Sequence, residues 1–306
     1  MMSTAETYAF QQFHVDVARN ATDDFNPFHD PRRWHNIRDN PYGGPIVLGF
    51  QLAALADDRI EAHRRSERDD PGQTSTYLNY EFHYAGPLRP GEPFTVDVRR
   101  TIHTKIGTTG ALNRVIVRHQ NGQPILLGSR ADTTQTTLPS HWPAIEIDLT
   151  DGISDRSYLP EQHLFLKRKY LSTNNGKNFL LGSLVDQYDY FDELSERVRF
   201  PPMFTAGLIS CALLEQARAQ GYDFEGDPQV YVSHRITIDH GLQRSLRSND
   251  RLDLLVDVAT QGAVSKGLSQ SRVDQQVRHC LGIVAGRGVL FRAQVQLASL
   301  RAILAR

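Results

Sequence analysis

One short loop of this chain carries both an acid and an imidazole. Asp24 and His29 lie five positions apart, on either side of the pair Asn26 and Pro27. Pro27 disfavours the helical conformation at Asn26, so a turn there can bring the carboxylate and the imidazole to the same side of the loop. Two such groups can together hold one water molecule and exchange protons with it. The loop is therefore predicted to carry acid–base chemistry.

The segment that follows this loop offers a complementary group. An apolar stretch runs from Gly44 to Ala56, and its almost continuous apolar residues predict a helix that is buried on most sides. Because Gly49 has no side chain, its backbone N–H can approach a carbonyl oxygen that becomes negative during a reaction. The dipole of the helix would strengthen this interaction at its N-terminus.

Together the two segments resemble the signature of the (R)-specific enoyl-CoA hydratases and MaoC-like dehydratases. The matching residues are Asp24-x-Asn26-Pro27-x-His29, followed by Gly44-x-Ile46-Val47-x-Gly49. The resemblance extends over most of residues 10–132 and implies the hot-dog fold. Two positions depart from the family's pattern, since Asp23 stands where Gly is frequent and Leu48 where His is frequent. Both departures bear on the range of substrates.

The resemblance also implies a reaction, the reversible addition of water to a trans-2-enoyl thioester. In it Asp24 is the base toward water, while His29 helps to hold the water and delivers a proton on the α-carbon side. The Gly49 N–H is the oxyanion donor, and Asn26 and Leu48 are candidate substrate-binding residues. No metal or redox cofactor is expected, because coenzyme A or an acyl-carrier protein serves only as the handle of the substrate.

The chain also repeats itself. Residues 21–29 have a weak echo in residues 172–180, and two further blocks follow in the same order, residues 44–49 with 201–206 and residues 77–98 with 231–258. This order predicts a tandem α+β protein, in which each half is an antiparallel sheet wrapped around one long central helix. The expected hot-dog domains cover residues 1–138 and 158–306, with a linker over residues 139–157. In the echo, Asn175 and Leu180 take the positions of Asp24 and His29, so the second domain is expected to lack the acid–base pair.

Composition narrows the classes of partner. The 306 residues carry 34 Lys and Arg against 35 Asp and Glu, a net charge of −1 that argues against nucleic acid or an anionic membrane as partner. A small acyl thioester is expected instead, with a homodimer as an open possibility. The longest apolar stretch is too short to span a membrane, and the N-terminus has no signal-peptide core, so a cytoplasmic protein is expected. Cys211 and Cys280 match no metal-ligand spacing and are predicted to be buried.

Two other functions stay open at this point. The segment 236–240 and the strand through Val258 resemble the second domain of double hot-dog acyl-CoA thioesterases, which makes Asp239 a second-choice catalytic residue for thioester hydrolysis. The glutamine that this resemblance implies near Gly286 is absent, which weakens the thioesterase alternative. A non-catalytic acyl-binding subunit is the other alternative. The arginines Arg32, Arg33 and Arg38 could contact the phosphates of coenzyme A or form a solvated face.

Overall fold

The helices and strands of the chain form two halves with the same order of elements. The computed structural model describes residues 6–67, 75–104, 110–138, 149, 152–257 and 275–305. Residues 139–148, 150 and 151 of the predicted linker lie outside the described residues, and the domain boundaries stay predictions.

The first half holds two helices and six strands within the described residues. They are β1 (Thr7–Ala9), α1 (Gln12–Thr22), α2 (Gly49–Ser66), β2 (Tyr77–Tyr84), β3 (Pro93–Val98), β4 (Ile102–Thr104), β5 (Gly110–His119) and β6 (Pro124–Thr133). The second half begins with β7 (Ser157–Leu159), β8 (Leu164–Tyr170), α3 (Thr173–Gly182), β9 (Phe191–Asp192), β10 (Arg197–Val198), α4 (Pro202–Gly207) and α5 (Ile209–Ala219). It continues with β11 (Gln229–Asp239), α6 (His240–Arg244), β12 (Arg251–Asp257), β13 (Gln275–Val284), β14 (Gly288–Ser299) and α7 (Leu300–Leu304).

One antiparallel sheet of twelve strands contains all of the described strands except β9 and β10, which pair with each other. The first half contributes the order β1-β3-β5-β6-β2, with β4 beside β5, and the second half contributes β11-β14-β13-β12-β8-β7. The strands β8, β12, β13, β14 and β11 therefore repeat the order of β1, β3, β5, β6 and β2. This repetition confirms the predicted tandem α+β fold. The halves join where β2 pairs with β11, from Tyr77 opposite Asp239 to His83 opposite Ser233.

Helix α2 is the central helix of the first half. Its first turns are buried on every side: Phe50, Leu52 and Leu55 are each at most 3% exposed, and the polar side chain of Gln51 is fully buried as well. The prediction placed Ile46 and Val47 in this helix, and that is wrong. Their N–H groups donate instead to the carbonyls of Phe28 and Leu88, at 2.9 and 2.8 Å, and these bonds keep both residues outside the helix.

The second half departs from the expected single long helix. Its central helix is interrupted at Leu208, between α4 and α5. Gly207, a poor helix former, ends α4 and faces Phe50 of α2, where an added Cβ would lie 3.3 Å from the Phe50 Cβ.

Cys211 and Cys280 are both buried and unpaired, and the prediction of their burial is confirmed. Among the described helices, none has the length and apolar composition that crossing a membrane requires.

The first block of the predicted echo is out of register. Residues 172–180 belong largely to helix α3, which packs against α1, whereas residues 21–29 are the end of α1 and the loop after it. Polar helix-terminal residues occur in both segments, and this similarity of composition produced the false match. The structural equivalents are α1 and α3 themselves.

A left-handed residue after each of these helices gives the correct register. Asp23 ends α1 with φ of 54°, and Leu184 follows α3 with φ of 57°. Counting from them places Val185 and Tyr190 opposite Asp24 and His29. Asn175 and Leu180 are therefore not the counterparts of the pair, yet the second half has neither a carboxylate nor an imidazole at the equivalent positions.

A buried ion network ties α2 to the sheet of the first half. Arg130 on β6 is 3% exposed and contacts the carboxylates of Asp57, Glu61 and Asp132 at 2.8, 2.6 and 2.8 Å. Arg64 contacts Asp132 from α2 at 2.8 Å. Burial raises the pKa of Asp57 to about 6, although Arg130 opposes this rise. The network depends on Arg130 because that guanidinium contacts three carboxylates at once.

Replacing this arginine should destabilise the fold severely. Arg130→Leu leaves the buried carboxylate of Asp57 without its cation, and we expect the free energy of unfolding to fall by about 3–5 kcal/mol. Urea denaturation at pH 7 measures the change. Arg33→Leu is the matched control, because Arg33 pairs with Glu225 at the surface and its loss should cost no more than about 1 kcal/mol. Equal losses in the two variants would contradict the importance of the buried network.

Candidate active site

A cavity of about 860 Å³ lies between the two halves. The first half lines it with the predicted site residues Asn26, His29, Leu48 and Gly49. The second half lines it with apolar side chains of α5, among them Leu213, Leu214 and Ala217. Both halves therefore shape one space, and the loop with the acid–base motif opens into it.

His29 presents one ring nitrogen for chemistry. The residue ends a short 3₁₀ turn over Pro27–His29 and is 6% exposed. Its Nδ1 lies 2.8 Å from the carbonyl oxygen of Ile46. Because a carbonyl can only accept, Nδ1 carries the proton and donates it there. In the neutral ring Nε2 is then left with a free lone pair.

Asp24 is buried near His29 and does not line the cavity. It is 3% exposed, and its Oδ1 accepts a hydrogen bond from the Asn26 N–H at 3.3 Å. Its backbone N–H donates to the Arg19 carbonyl at 3.1 Å, which fixes the loop to the end of α1. The carboxylate still acts on the site, because its charge is one of the influences on the imidazole of His29.

The charge state of His29 follows from its surroundings. Burial lowers its pKa below the ordinary 6.5, and the nearby Arg19 guanidinium lowers it further. The Asp24 carboxylate and the hydrogen bond to Ile46 raise the pKa, but they only partly offset the burial. His29 is therefore neutral at pH 7 and can accept a proton at Nε2.

Other polar residues of the loop hold its shape. The Oδ1 of Asn26 accepts from the Phe28 N–H at 3.1 Å and caps the 3₁₀ turn, while the residue also lines the cavity. Asp23, next to Asp24, turns its carboxylate to Lys169 of the second half. Adjacent aspartates thus have different surroundings, one bonded to a lysine and one beside the imidazole.

The N-terminus of α2 borders the cavity at Gly49. Within the described chain, the N–H groups of Gly49 and Phe50 have no hydrogen-bond acceptor, and the first backbone bond of the helix runs from Leu52 to Leu48 at 3.1 Å. Free N–H groups at a helix N-terminus favour a negative oxygen. A Cβ added to Gly49 would lie 2.9 Å from the Tyr84 ring, so this position requires glycine.

The sequence analysis missed a group of aromatic residues beside Gly49. Tyr84 and Tyr231 line the cavity, and the Tyr84 hydroxyl lies 3.1 Å from Nδ1 of His234. His234 stacks on Phe50 at a centroid distance of 4.4 Å. These side chains come from α2, β2 and β11, so only the pairing of the two halves brings them together. The sequence signal that could have found this group is the presence of polar side chains, those of Tyr84, Tyr231 and His234, among the apolar residues of two strands.

Several residues that the sequence analysis singled out lie away from the cavity. None of Arg32, Arg33 and Arg38 lines it, and Arg33 pairs with Glu225 at 2.7 Å. The carboxylate of Asp239 accepts from the Leu242 N–H at 2.8 Å and caps α6. Among the described residues, no group of three or more His, Cys, Asp or Glu is placed to hold a metal ion.

A second, much smaller cavity lies beside the loop of the second half. It measures about 30 Å³ and is lined by Tyr190, Pro202 and members of the ion network on α2 and β6. Tyr190 occupies the position that corresponds to His29. The cleft that would form a second site is thus closed by an aromatic ring and by the charged side chains around Arg130.

Comparisons with known proteins identify the fold. No protein-family model matches this sequence, and no curated protein matches it either. Solved structures do match over nearly the whole chain. A MaoC-like dehydratase is 12% identical, with a TM-score of 0.59, over 97% of this chain and 96% of that one. A MaoC-like dehydratase from Phytophthora capsici is 12% identical, with a TM-score of 0.51, over 95% and 94%.

A third match names the architecture directly. A Mycobacterium tuberculosis protein, described as having a double hot-dog fold, is 12% identical, with a TM-score of 0.58, over 98% of this chain and 97% of that one. The chain described here has the double hot-dog fold, as its motifs predicted.

The ionisation of His29 can be tested without any substrate. An NMR pH titration should give its imidazole a pKa below 6.5, because burial disfavours the charged ring. Asp24→Asn should lower that pKa further, since the variant removes the negative charge that favours the imidazolium. Asp23→Asn, whose carboxylate contacts Lys169, is the control and should leave the pKa of His29 unchanged. A rise in Asp24→Asn would contradict the assigned interaction.

Proposed function

We propose that this protein catalyses the reversible hydration of a trans-2-enoyl thioester to a 3-hydroxyacyl thioester. One observation carries the proposal. A neutral imidazole, His29, backed by the buried carboxylate of Asp24, lines a large cavity beside the free N-terminal N–H groups of α2. This arrangement offers a base, a countercharge and an oxyanion donor around one space.

In the hydration direction, the hydroxyl group of water adds to the β-carbon and a proton adds to the α-carbon. Nε2 of His29 accepts one proton while the water oxygen bonds to the β-carbon, and the electrons of the double bond move toward the thioester oxygen. The Gly49 N–H donates to this enolate oxygen. The proton on Nε2 then passes to the α-carbon, which restores the carbonyl. Dehydration follows the same steps in reverse.

The roles of the pair differ from those that the resemblance implies. Nδ1 of His29 is engaged with Ile46, so Nε2 is free to act as the base. Asp24 is buried, and its charge stabilises the imidazolium that forms when the proton arrives. His29 delivers the proton to the α-carbon in both descriptions.

The cavity fits an acyl chain better than a polar substrate. Leu52 of α2 and Leu213, Leu214 and Ala217 of α5 give it apolar wall on both sides. We propose that the acyl group is carried as a thioester of coenzyme A or of an acyl-carrier protein, which stays outside the cavity. The proposed reaction uses no metal or redox cofactor. Cytoplasmic location and a homodimer stay predictions of the sequence.

Thioester hydrolysis in the second half has less support. Asp239, its candidate residue, caps α6 and is absent from the wall of the large cavity. A purely binding role is also less well supported, because a binding protein has no need of a neutral histidine with a buried countercharge.

Asp24→Asn tests the proposed reaction. With a series of trans-2-enoyl-CoA substrates, the loss of enoyl absorbance should fall by about 100-fold or more, since the imidazolium loses its countercharge. Asp23→Asn is the matched control and should stay close to wild-type activity. A thiol assay run in parallel should detect no release of coenzyme A. Thiol release that survives in Asp24→Asn would overturn the proposal and favour hydrolysis elsewhere.

The α5 wall can be tested through the length of the acyl chain. Ala217→Phe places a ring in the cavity, so KM should rise about 10-fold or more for long enoyl chains and change little for short ones. Ala219→Phe lies on the exposed part of the same helix and serves as control. An equal effect on all chain lengths would show that the acyl group does not reach α5.

A further inference from the structure

The hydroxyl of Tyr84 lies directly over Gly49. We propose that Tyr84 is a second oxyanion donor and that His234 is the positioning residue that directs its proton into the cavity. This inference rests on the proposed hydration, because the acceptor is the thioester oxygen of that substrate. The resemblance that identified Asp24, His29 and Gly49 assigns no role to either residue.

Distances allow the two donors to share one oxygen. A Cβ built on Gly49 would lie 2.9 Å from the Tyr84 Oη, and the Gly49 nitrogen is about 2.5 Å from such a Cβ, so the two donors are at most about 5.4 Å apart. Two donors that each bond one oxygen at about 2.9 Å can be separated by up to about 5.8 Å. Both residues line the same cavity. One thioester oxygen can therefore accept from both.

The direction of the Tyr84 hydroxyl depends on the tautomer of His234. Tyr84 Oη and Nδ1 of His234 are 3.1 Å apart, and either group could donate to the other. Nε2 of His234 is buried without a hydrogen-bond partner. A buried N–H without an acceptor is rarer than a buried acceptor without a donor, which places the proton on Nδ1. Nδ1–H then donates to Tyr84 Oη, and the phenolic proton is free to point elsewhere.

The surroundings of His234 maintain this arrangement. Its ring stacks on Phe50 and meets the rings of Tyr84 and Tyr231 edge-on, at centroid distances of 5.1 and 4.8 Å. Burial lowers the pKa of His234 to about 3, so the ring stays neutral. Burial also raises the pKa of Tyr84, which keeps the phenol protonated. A neutral histidine and a protonated tyrosine are the states that the proposed donor requires.

The chemical consequence is stronger binding of the transition state than of the ground state. The thioester oxygen gains negative charge as water adds, and both Gly49 N–H and Tyr84 O–H strengthen their hydrogen bonds at that moment. The tyrosine keeps its proton throughout. No further reactant is needed, since the enolate returns its electrons when the α-carbon is protonated.

Tyr84→Phe is the first test. Wild-type turnover of trans-2-enoyl-CoA must be measured beforehand, since its absence would refute the proposed function itself. In an active enzyme, Tyr84→Phe should lower kcat by about 100-fold with little change in KM, the effect of losing one oxyanion donor. Tyr77→Phe on the same strand, outside the cavity, is the matched control. Unchanged kcat in Tyr84→Phe would overturn the inference and leave the hydratase intact.

A spectroscopic readout separates donation from support of the fold. With a saturated acyl-CoA that carries ¹³C at the thioester carbonyl, the infrared carbonyl stretch should shift upward in Tyr84→Phe relative to wild type. His234→Phe keeps an aromatic ring against Phe50 but removes the nitrogen, and should give part of that shift. Its effect on kcat should not add to that of Tyr84→Phe, because the two residues act as one unit. Identical stretches in all three proteins would refute the donation.

The tautomer can be read directly. ¹⁵N NMR of His234 should show a protonated Nδ1 and an unprotonated Nε2 in the free protein. This measurement needs no substrate, so it is independent of the proposed reaction. The opposite tautomer would mean that Tyr84 donates to His234, and it would overturn the inference.

Discussion

The antiparallel pairing of β2 with β11 is the constraint on which the candidate site depends. It joins two half-sheets into one, and without it β2 and β11 would each be the exposed edge strand of its own half-sheet. The same pairing places α5 of the second half across the cavity from the N-terminus of α2, so that α5 supplies the opposite wall. The proposed acid–base residues all lie within residues 24–29, but the cavity into which their loop opens needs walls from both halves.

The two halves show how one fold serves two purposes. In the first half, the loop that carries His29 lies beside the free N–H groups at the start of α2. The apolar side chains of α5 form the facing wall and leave the large cavity open between them. In the second, the corresponding cleft meets Tyr190, Asp57 and Arg130, whose ring and charges fill it. Asp57 and Arg130 come from the first half, so each half contributes to the packing beside the other's loop. The open cavity and the packed ion network thus lie on different sides of two copies of one architecture.

The parts of the fold that were predictable from the sequence are those encoded by local patterns. The Asn26-Pro27 turn and the glycine at the helix start are short-range signals that led to a site near α2, while the order of similar blocks in the two halves led to the tandem architecture. Helix boundaries failed where tertiary hydrogen bonds decided them, as for Ile46 and Val47. The echo failed because polar residues near a helix end look alike in composition whatever their place in the fold.

The hydrogen bonds of the candidate site depend on distances that no local pattern contains. A carbonyl seventeen residues away accepts from Nδ1 of His29 and so decides which ring nitrogen stays free. The contact of Tyr84 with His234 spans 150 positions and exists only because the half-sheets join. Gly49 combines both kinds of information. Its place in a motif predicts a helix N-terminus, while the ring of Tyr84 against its α-carbon explains why a side chain there would displace that ring.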